Sequence, residues 1–183
     1  YVEVTEGWGD DAEGLKAALS RAFTIGESRS YDQDPLFGLT VLSEVASRAL
    51  SPGINDPGTA IDVVAQLARL LSRAASPPGA ADRTPQDGAE PQYPRVFLRP
   101  IDPADLIEVA FLAISRDGAG MIEVVLAMLN ALDALTASCP PPLADAAQAM
   151  ARTAYERGLA TLGFEDDRAR LRSLYAGRFG AAT

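Results

Sequence analysis

The sequence predicts an all-α fold of about seven helices in one bundle-like domain, with at most a small β-hairpin beside them. Three observations lead there. Apolar residues recur every three or four positions in successive stretches, the period of a helix that buries one face. The dipeptide Asp-Pro opens three of those stretches, at Asp34-Pro35, Asp56-Pro57 and Asp102-Pro103. Strand-like alternation is confined to two short runs, "YVEVT" at 1–5 and "RVFLR" at 95–99, which are the candidates to pair as the hairpin. A chain of 183 residues suits one well-buried core and is short for two, so a single domain over 1–183 is expected.

The first helix is expected over 11–24, where Leu15, Ala18, Leu19, Ala22 and Phe23 share a face and Asp10 or Asp11 supplies the cap. A polar connector, "IGESRSYDQ", leads to the second helix at 35–50, with Phe37, Leu39, Leu42, Val45, Ala46, Ala49 and Leu50 at helical spacing. The third, 57–75, turns Ile61, Val64, Leu67, Ala68 and Leu71 inward and Asp62, Gln66, Arg69 and Arg73 outward. Residues 76–94 are rich in proline, glycine and charge, lack an apolar period, and read as a long exposed loop. Beyond them lie a helix at 102–115, with Leu106, Ile107, Ala110 and Ile114 as its stripe, and further helices at 119–138, 142–162 and 165–176.

Composition removes several function classes. Apolar residues make up 48% and charged residues 22%, which argues against wholesale disorder. The formal net charge of -9 disfavours a general attraction to nucleic acid or anionic lipid, so no nucleic-acid partner is expected. There is no histidine, which eliminates histidine-based triads, imidazole zinc sites and the usual near-neutral proton shuttle. The single cysteine, Cys139, precedes "PPP" at a helix end and reads as a structural thiol. The most apolar long stretch is interrupted by Glu123, Asn130 and Asp133, short of the ~20 nearly uncharged residues that span a bilayer. The chain as given is therefore expected to be soluble. Its start at Tyr1, in a strand-like run, suggests a fragment of something larger.

The Asp-Pro pairs have a direct physical account. An N-cap aspartate accepts a hydrogen bond from an otherwise unpaired amide, and its charge suits the helix dipole. Proline at the first helical position has no amide to waste, and it holds the preceding residue in the extended region a cap requires. Asp34, Asp56 and Asp102 are thus explained as caps.

The corner "SPGINDPGTA", residues 51–60, asks for more. Pro52 and Gly53 suit a helix stop and a sharp reversal after Leu50. Ile54 reads as an apolar plug packing the corner, and Asn55 either closes an Asx turn or faces a ligand. Arg48, one turn earlier, is placed to reach the carbonyls of its own helix or an acidic partner such as Asp34 or Asp62. If Arg29, Arg48 and Asn55 converge instead, they form a polar pocket beside the start of the third helix, where free amides favour an anion. The candidate ligand-binding set is Arg29, Asp34, Arg48, Asn55, Asp56 and Thr59.

The segment "ESRSYDQDPLFGLTVLSEVASRALSPGINDPGTA" closely resembles the hallmark of a bacterial family of predicted membrane proteins, the domain of unknown function 2254 family. The resemblance rests on Arg29, on Gln33, Asp34, Pro35, Phe37, Gly38 and Leu39, and on the run from Arg48 to Pro57 with Thr59 and Ala60. A weaker likeness covers "DLIEVAFLAISRDGAG". It implies a group of N-terminal transmembrane helices followed by a region like this one, with no activity, cofactor or catalytic residue attached.

Other motifs add no chemistry. No GxxxxGK[ST], GxSxG or SxxK occurs, and "DGAG" at 117–120 lacks the strand a dinucleotide fingerprint needs. "DQD" and "EDD" group carboxylates without cation-loop spacing and read as solvated caps. Asp34, Asp56 and Asp62 are an acid-base set only if the fold joins them. Lys16 falls on an exposed face. No catalytic residue, metal or cofactor is therefore assigned. The expectation is a non-catalytic helical domain of a membrane protein, on its cytoplasmic side, serving assembly, regulation or ligand sensing. Its expected partners are the protein's own transmembrane region, a second copy, or a small anion. A small-anion or metabolite site or an enzyme centred on the corner is the alternative, and a transporter or channel gate the third.

Overall fold

The computed structural model describes residues 12–22, 34–76 and 101–180. Within them lie seven helices and no strand: α1 (Ala12–Ala22), α2 (Pro35–Ala49), α3 (Pro57–Ala75), α4 (Pro103–Asp117), α5 (Ile122–Ser138), α6 (Pro141–Thr161) and α7 (Glu165–Phe179). The all-α expectation holds. The hairpin expected between 1–5 and 95–99 falls outside the described residues, as do Phe23 and all but Ser76 of the loop at 76–94.

Helices α2 to α6 form a closed ring of neighbours: α2 packs on α3 and α4, α3 on α5, α4 on α6, and α5 on α6, while α7 lies against α5 and α6. The centre belongs to α4 and α5, and the reason is in their sequences. Seven buried residues of α5, from Val124 to Leu135, cover more than one face; a helix apolar around most of its girth must be surrounded by others. From α4, Ile107, Phe111 and Ile114 are fully buried and meet Leu67 of α3 and Leu129 and Leu132 of α5 in one cluster. Each such side chain contributes about 1.5–3 kcal/mol on burial. Gly158 lets α6 come close: a Cβ there would sit 2.8 Å from Leu171 and 3.2 Å from Val125. Tyr155 and Tyr175 stack at 4.1 Å between ring centres, closing the seam between α6 and α7.

The ring has two ends. One carries the corner between α2 and α3, the turn at 118–121, and the link at 162–164; Gly120 lies beside the Thr161 side chain there. At the other end, the first turns of α2 and α4, the last turn of α3 and the junction of α5 with α6 meet around one groove. Leu171 and Tyr175 seat α7 on the core, and Arg178 of α7 pairs with Asp133 of α5 at 2.7 Å at the surface.

Several expectations need correction. The face of α1 expected to turn inward is exposed at Ala18 and Ala22, and no described residue of α1 joins the core. On α2, Val45 was expected inside but is 39% exposed, whereas Ser43 is only 4% exposed. The cause is that α2 packs between two neighbours, α3 and α4, so its buried arc is wider than one apolar stripe and displaced from it. Helix α5 starts at Ile122 rather than 119, because residues 118–120 form a turn. Gly118 makes that turn feasible: a Cβ would come within 2.6 Å of Val124 and 3.1 Å of the Ile114 carbonyl. Among the described residues no helix is long and apolar enough to cross a membrane.

Candidate functional site

The three Asp-Pro starts behave as their chemistry requires. Asp34 accepts a hydrogen bond from the Phe37 amide at 3.1 Å, Asp56 from the Thr59 amide at 3.1 Å, and Asp102 from the Ala104 amide at 2.9 Å. At Asp56 the cap is doubled, because the Thr59 hydroxyl donates to the second carboxylate oxygen. That hydroxyl first, then the Thr59 and Gly58 amides, hold the Asp56 carboxyl below its ordinary pKa. A carboxylate built into the chain thus already occupies the amide-rich start of α3, the position a bound anion would take.

The corner is also closed by its own backbone. The Leu50 amide bonds the Ala46 carbonyl at 2.9 Å, and a further turn follows in which the Ile54 and Asn55 amides both bond the Ser51 carbonyl, at 3.0 and 2.8 Å. Asn55 has φ 50, the left-handed conformation that ends such a turn by a single long-reach bond. The reversing residue is therefore Asn55, not Gly53, and asparagine tolerates that region better than other residues with a Cβ. The Asp56 amide then returns to the Ala49 carbonyl at 2.8 Å, tying the start of α3 to the end of α2. Ile54 does not plug the corner: it is 56% exposed.

The six candidate ligand residues are distributed as follows. Asp34 and Asp56 are caps, and Thr59 is bonded to Asp56. Asn55 is exposed and shapes the backbone. Arg48 is exposed on the last turn of α2, with no hydrogen bond or ion pair to a described side chain; only its carbonyl is engaged, by Ser51. Arg29 lies outside the described residues. The fold places Arg48, Asn55, Asp56 and Thr59 at one end of the ring and Asp34 at the other, one helix length away.

Two features escaped the sequence reading. The first is a polar seam between α4 and α6, where the Arg157 guanidinium donates to the Leu112 carbonyl at 2.9 Å and to the buried Ser115 hydroxyl at 2.6 Å. Beyond it, Arg116 pairs with Asp117 at 2.7 Å, which lowers the Asp117 carboxyl below its ordinary pKa. The second is an apolar groove of about 700 Å³ at the opposite end from the corner, walled by Leu39 and Leu42 of α2, Leu70 and Leu71 of α3, Leu106 of α4 and Leu143 of α6. Most of its leucines belong to the stripes expected to face the core, and nothing local in the sequence shows that they leave a concavity between them. Among the described residues no cluster of acidic or cysteine side chains is arranged to hold a metal ion.

Comparison with known proteins supplies the setting. An uncharacterized protein of Mycobacterium bovis is 35% identical over 122 residues, covering 64% of this chain and 22% of that protein. Two uncharacterized proteins of Mycobacterium tuberculosis strains match to the same extent. The chain spans about a fifth of the length of these curated relatives. No solved structure matches the chain significantly. The family model described as "Predicted membrane protein (DUF2254)" covers residues 2–134, which includes the Asp-Pro helix starts and the corner, and the chain belongs to that family.

Proposed function

We propose that this chain is a non-catalytic assembly module of a membrane protein, and that its docking surface is the apolar groove at the end of the ring away from the corner. The observation that carries the proposal is the groove's composition. Four helices contribute leucines to one concavity of about 700 Å³, within the size range of sites that take a substantial apolar group. Contiguous apolar surface of this kind, left open to water, marks an interaction site more often than a fold requirement. The family's membrane character supports an occupant from the rest of the same polypeptide: an apolar helix or helix end presented by the membrane-embedded part.

Cysteine protection tests the assignment. With Cys139→Ser as background, a cysteine introduced by Ala74→Cys at the exposed lip of the groove reacts freely with maleimide in the 183-residue chain. In the longer membrane protein the same position is protected, whereas a cysteine introduced by Arg69→Cys on the outer face of α3 labels equally in both. Equal labelling of both positions in both proteins would exclude the groove as the docking surface.

A second reading keeps a small anion at the corner, favoured by the exposed guanidinium of Arg48 without a side-chain partner among the described residues. It requires an anion to raise Tm in the parent chain and not in Arg48→Ala.

A further inference from the structure

Helices α6 and α7 enclose a cleft of about 370 Å³, separate from the apolar groove and from the corner. Both helices lie beyond residues 2–134, the span of the family match. One wall is polar. Asp145, Gln148 and Arg152 stand along α6 at spacings of three and four residues, exposed and on one face of that helix. The other wall is aromatic, supplied by Tyr175 and Phe179 of α7.

A polar stripe alone would read as a solvated face, and the rings change that. Tyr155, Tyr175 and Phe179 form a ladder whose successive centres are 4.1 and 5.1 Å apart. Tyr175, between the other two, is 5% exposed. Phe179 ends the ladder: it is half-buried, has one ring neighbour among the described residues, and lines the cleft. Because α7 runs back along α6 from the link at 162–164, Phe179, one turn beyond Tyr175, falls level with the polar stripe. A further planar ring can extend the stack there. Asp145 and Arg152 are two helical turns apart, a rise of about 10.5 Å, and neither is paired with a described residue. The stripe thus offers an acceptor-only carboxylate, then an amide that both donates and accepts, then a guanidinium fork.

We propose that the α6–α7 cleft binds a guanine mononucleotide, with the base stacked on Phe179, its N–H edge donating to the Asp145 carboxylate, and its phosphate on the Arg152 guanidinium. Each part of the ligand answers one part of the wall. An aromatic face accepts any base, so selection falls to the edge contact. A carboxylate accepts two N–H bonds from guanine and has no donor for the ring nitrogen of adenine. A guanidinium takes a phosphate through paired hydrogen bonds. Pairing edge and phosphate lie at opposite ends of a mononucleotide, as Asp145 and Arg152 lie at opposite ends of the stripe. The volume suits a small molecule better than a folded partner. This inference is independent of the docking surface at the end of the ring.

Calorimetric titration of the 183-residue chain with guanosine monophosphate tests it, in about 0.15 M salt so that surface charge is screened. Binding at one site is expected, tighter than that of adenosine monophosphate by about tenfold or more, while inorganic phosphate at the same concentrations does not bind. Arg152→Gln and Phe179→Leu each weaken binding by about tenfold or more, and Asp145→Asn removes the preference for guanine over adenine. Arg69→Gln, which deletes the same charge from the outer face of α3, leaves binding unchanged. Asp145 and Arg152 are exposed, and every titration is run well below the Tm of the variant, so loss of fold does not imitate loss of the site. No binding of guanosine monophosphate to the parent chain, or equal binding by the parent and Arg152→Gln, would overturn the proposal. Inorganic phosphate binding as tightly as the nucleotide would overturn it as well.

Discussion

The two ends of the helical ring solve opposite problems. At the corner end, backbone amides that the chain reversal frees are met within a few residues: Asn55 and Ile54 by Ser51, Asp56 by Ala49, Thr59 by Asp56. At the other end, leucines from four helices meet and leave a concavity that no described residue fills. The conspicuous motif is therefore the part of the molecule that asks least of a partner, and the inconspicuous end asks most. Local satisfaction makes a motif easy to see, because its residues are adjacent in sequence. An unsatisfied surface is assembled from distant ones.

That contrast can be broken by substitution, and the largest effect belongs to neither end. Phe111→Ala, at the fully buried centre, is expected to destabilise by about 3–5 kcal/mol in chemical denaturation, because the ring cannot collapse around the lost volume. Next comes Gly118→Ala, where the new Cβ meets Val124 and the Ile114 carbonyl; overpacking of this kind costs about 1–3 kcal/mol. Loss of a cap is smaller: Asp102→Ala should cost about 1 kcal/mol by the same measurement.

Asp56→Ala sharpens the comparison through pH. The folded-state pKa of Asp56 is depressed by the Thr59 hydroxyl and amide, so its contribution is complete above the unfolded value, near about 3.9, and disappears as pH falls through the folded value below it. Parent and variant should therefore differ in Tm at neutral pH and converge in acid. A constant offset down to the lowest pH at which the chain folds would mean that the carboxylate charge is not what closes the corner. The smallest effect is expected at the tip, where Ile54→Ser should move stability by less than about 0.5 kcal/mol, since the side chain packs on nothing that folding requires.

The helix starts were legible because Asp-Pro encodes both the cap and the backbone that precedes it, and the outward set Asp62, Gln66, Arg69 and Arg73 was legible because α3 buries a single stripe. On α2 the apolar stripe misled at one position: Val45 lies outside the buried arc, which takes in Ser43 instead, with α3 and α4 packed on either side. Asn55 rather than Gly53 reverses the chain because the turn after Leu50 runs one residue-pair longer than a simple helix stop, a count that depends on the Ser51 carbonyl and not on residue type. The α4–α6 seam joins Leu112 and Ser115 to Arg157, more than forty positions away, and no local pattern announces such a pair.

Hydrogen–deuterium exchange, run in parallel on the 183-residue chain alone and on a longer protein that joins it to the membrane-embedded region proposed as its partner, bears most directly on the account. Amides in the last turns of α3 and the first turns of α2 and α4 should exchange more slowly in the longer protein, while those of residues 51 to 56 keep the same rates in both. Slowing confined to the corner, with the leucine-lined end unchanged, would contradict it.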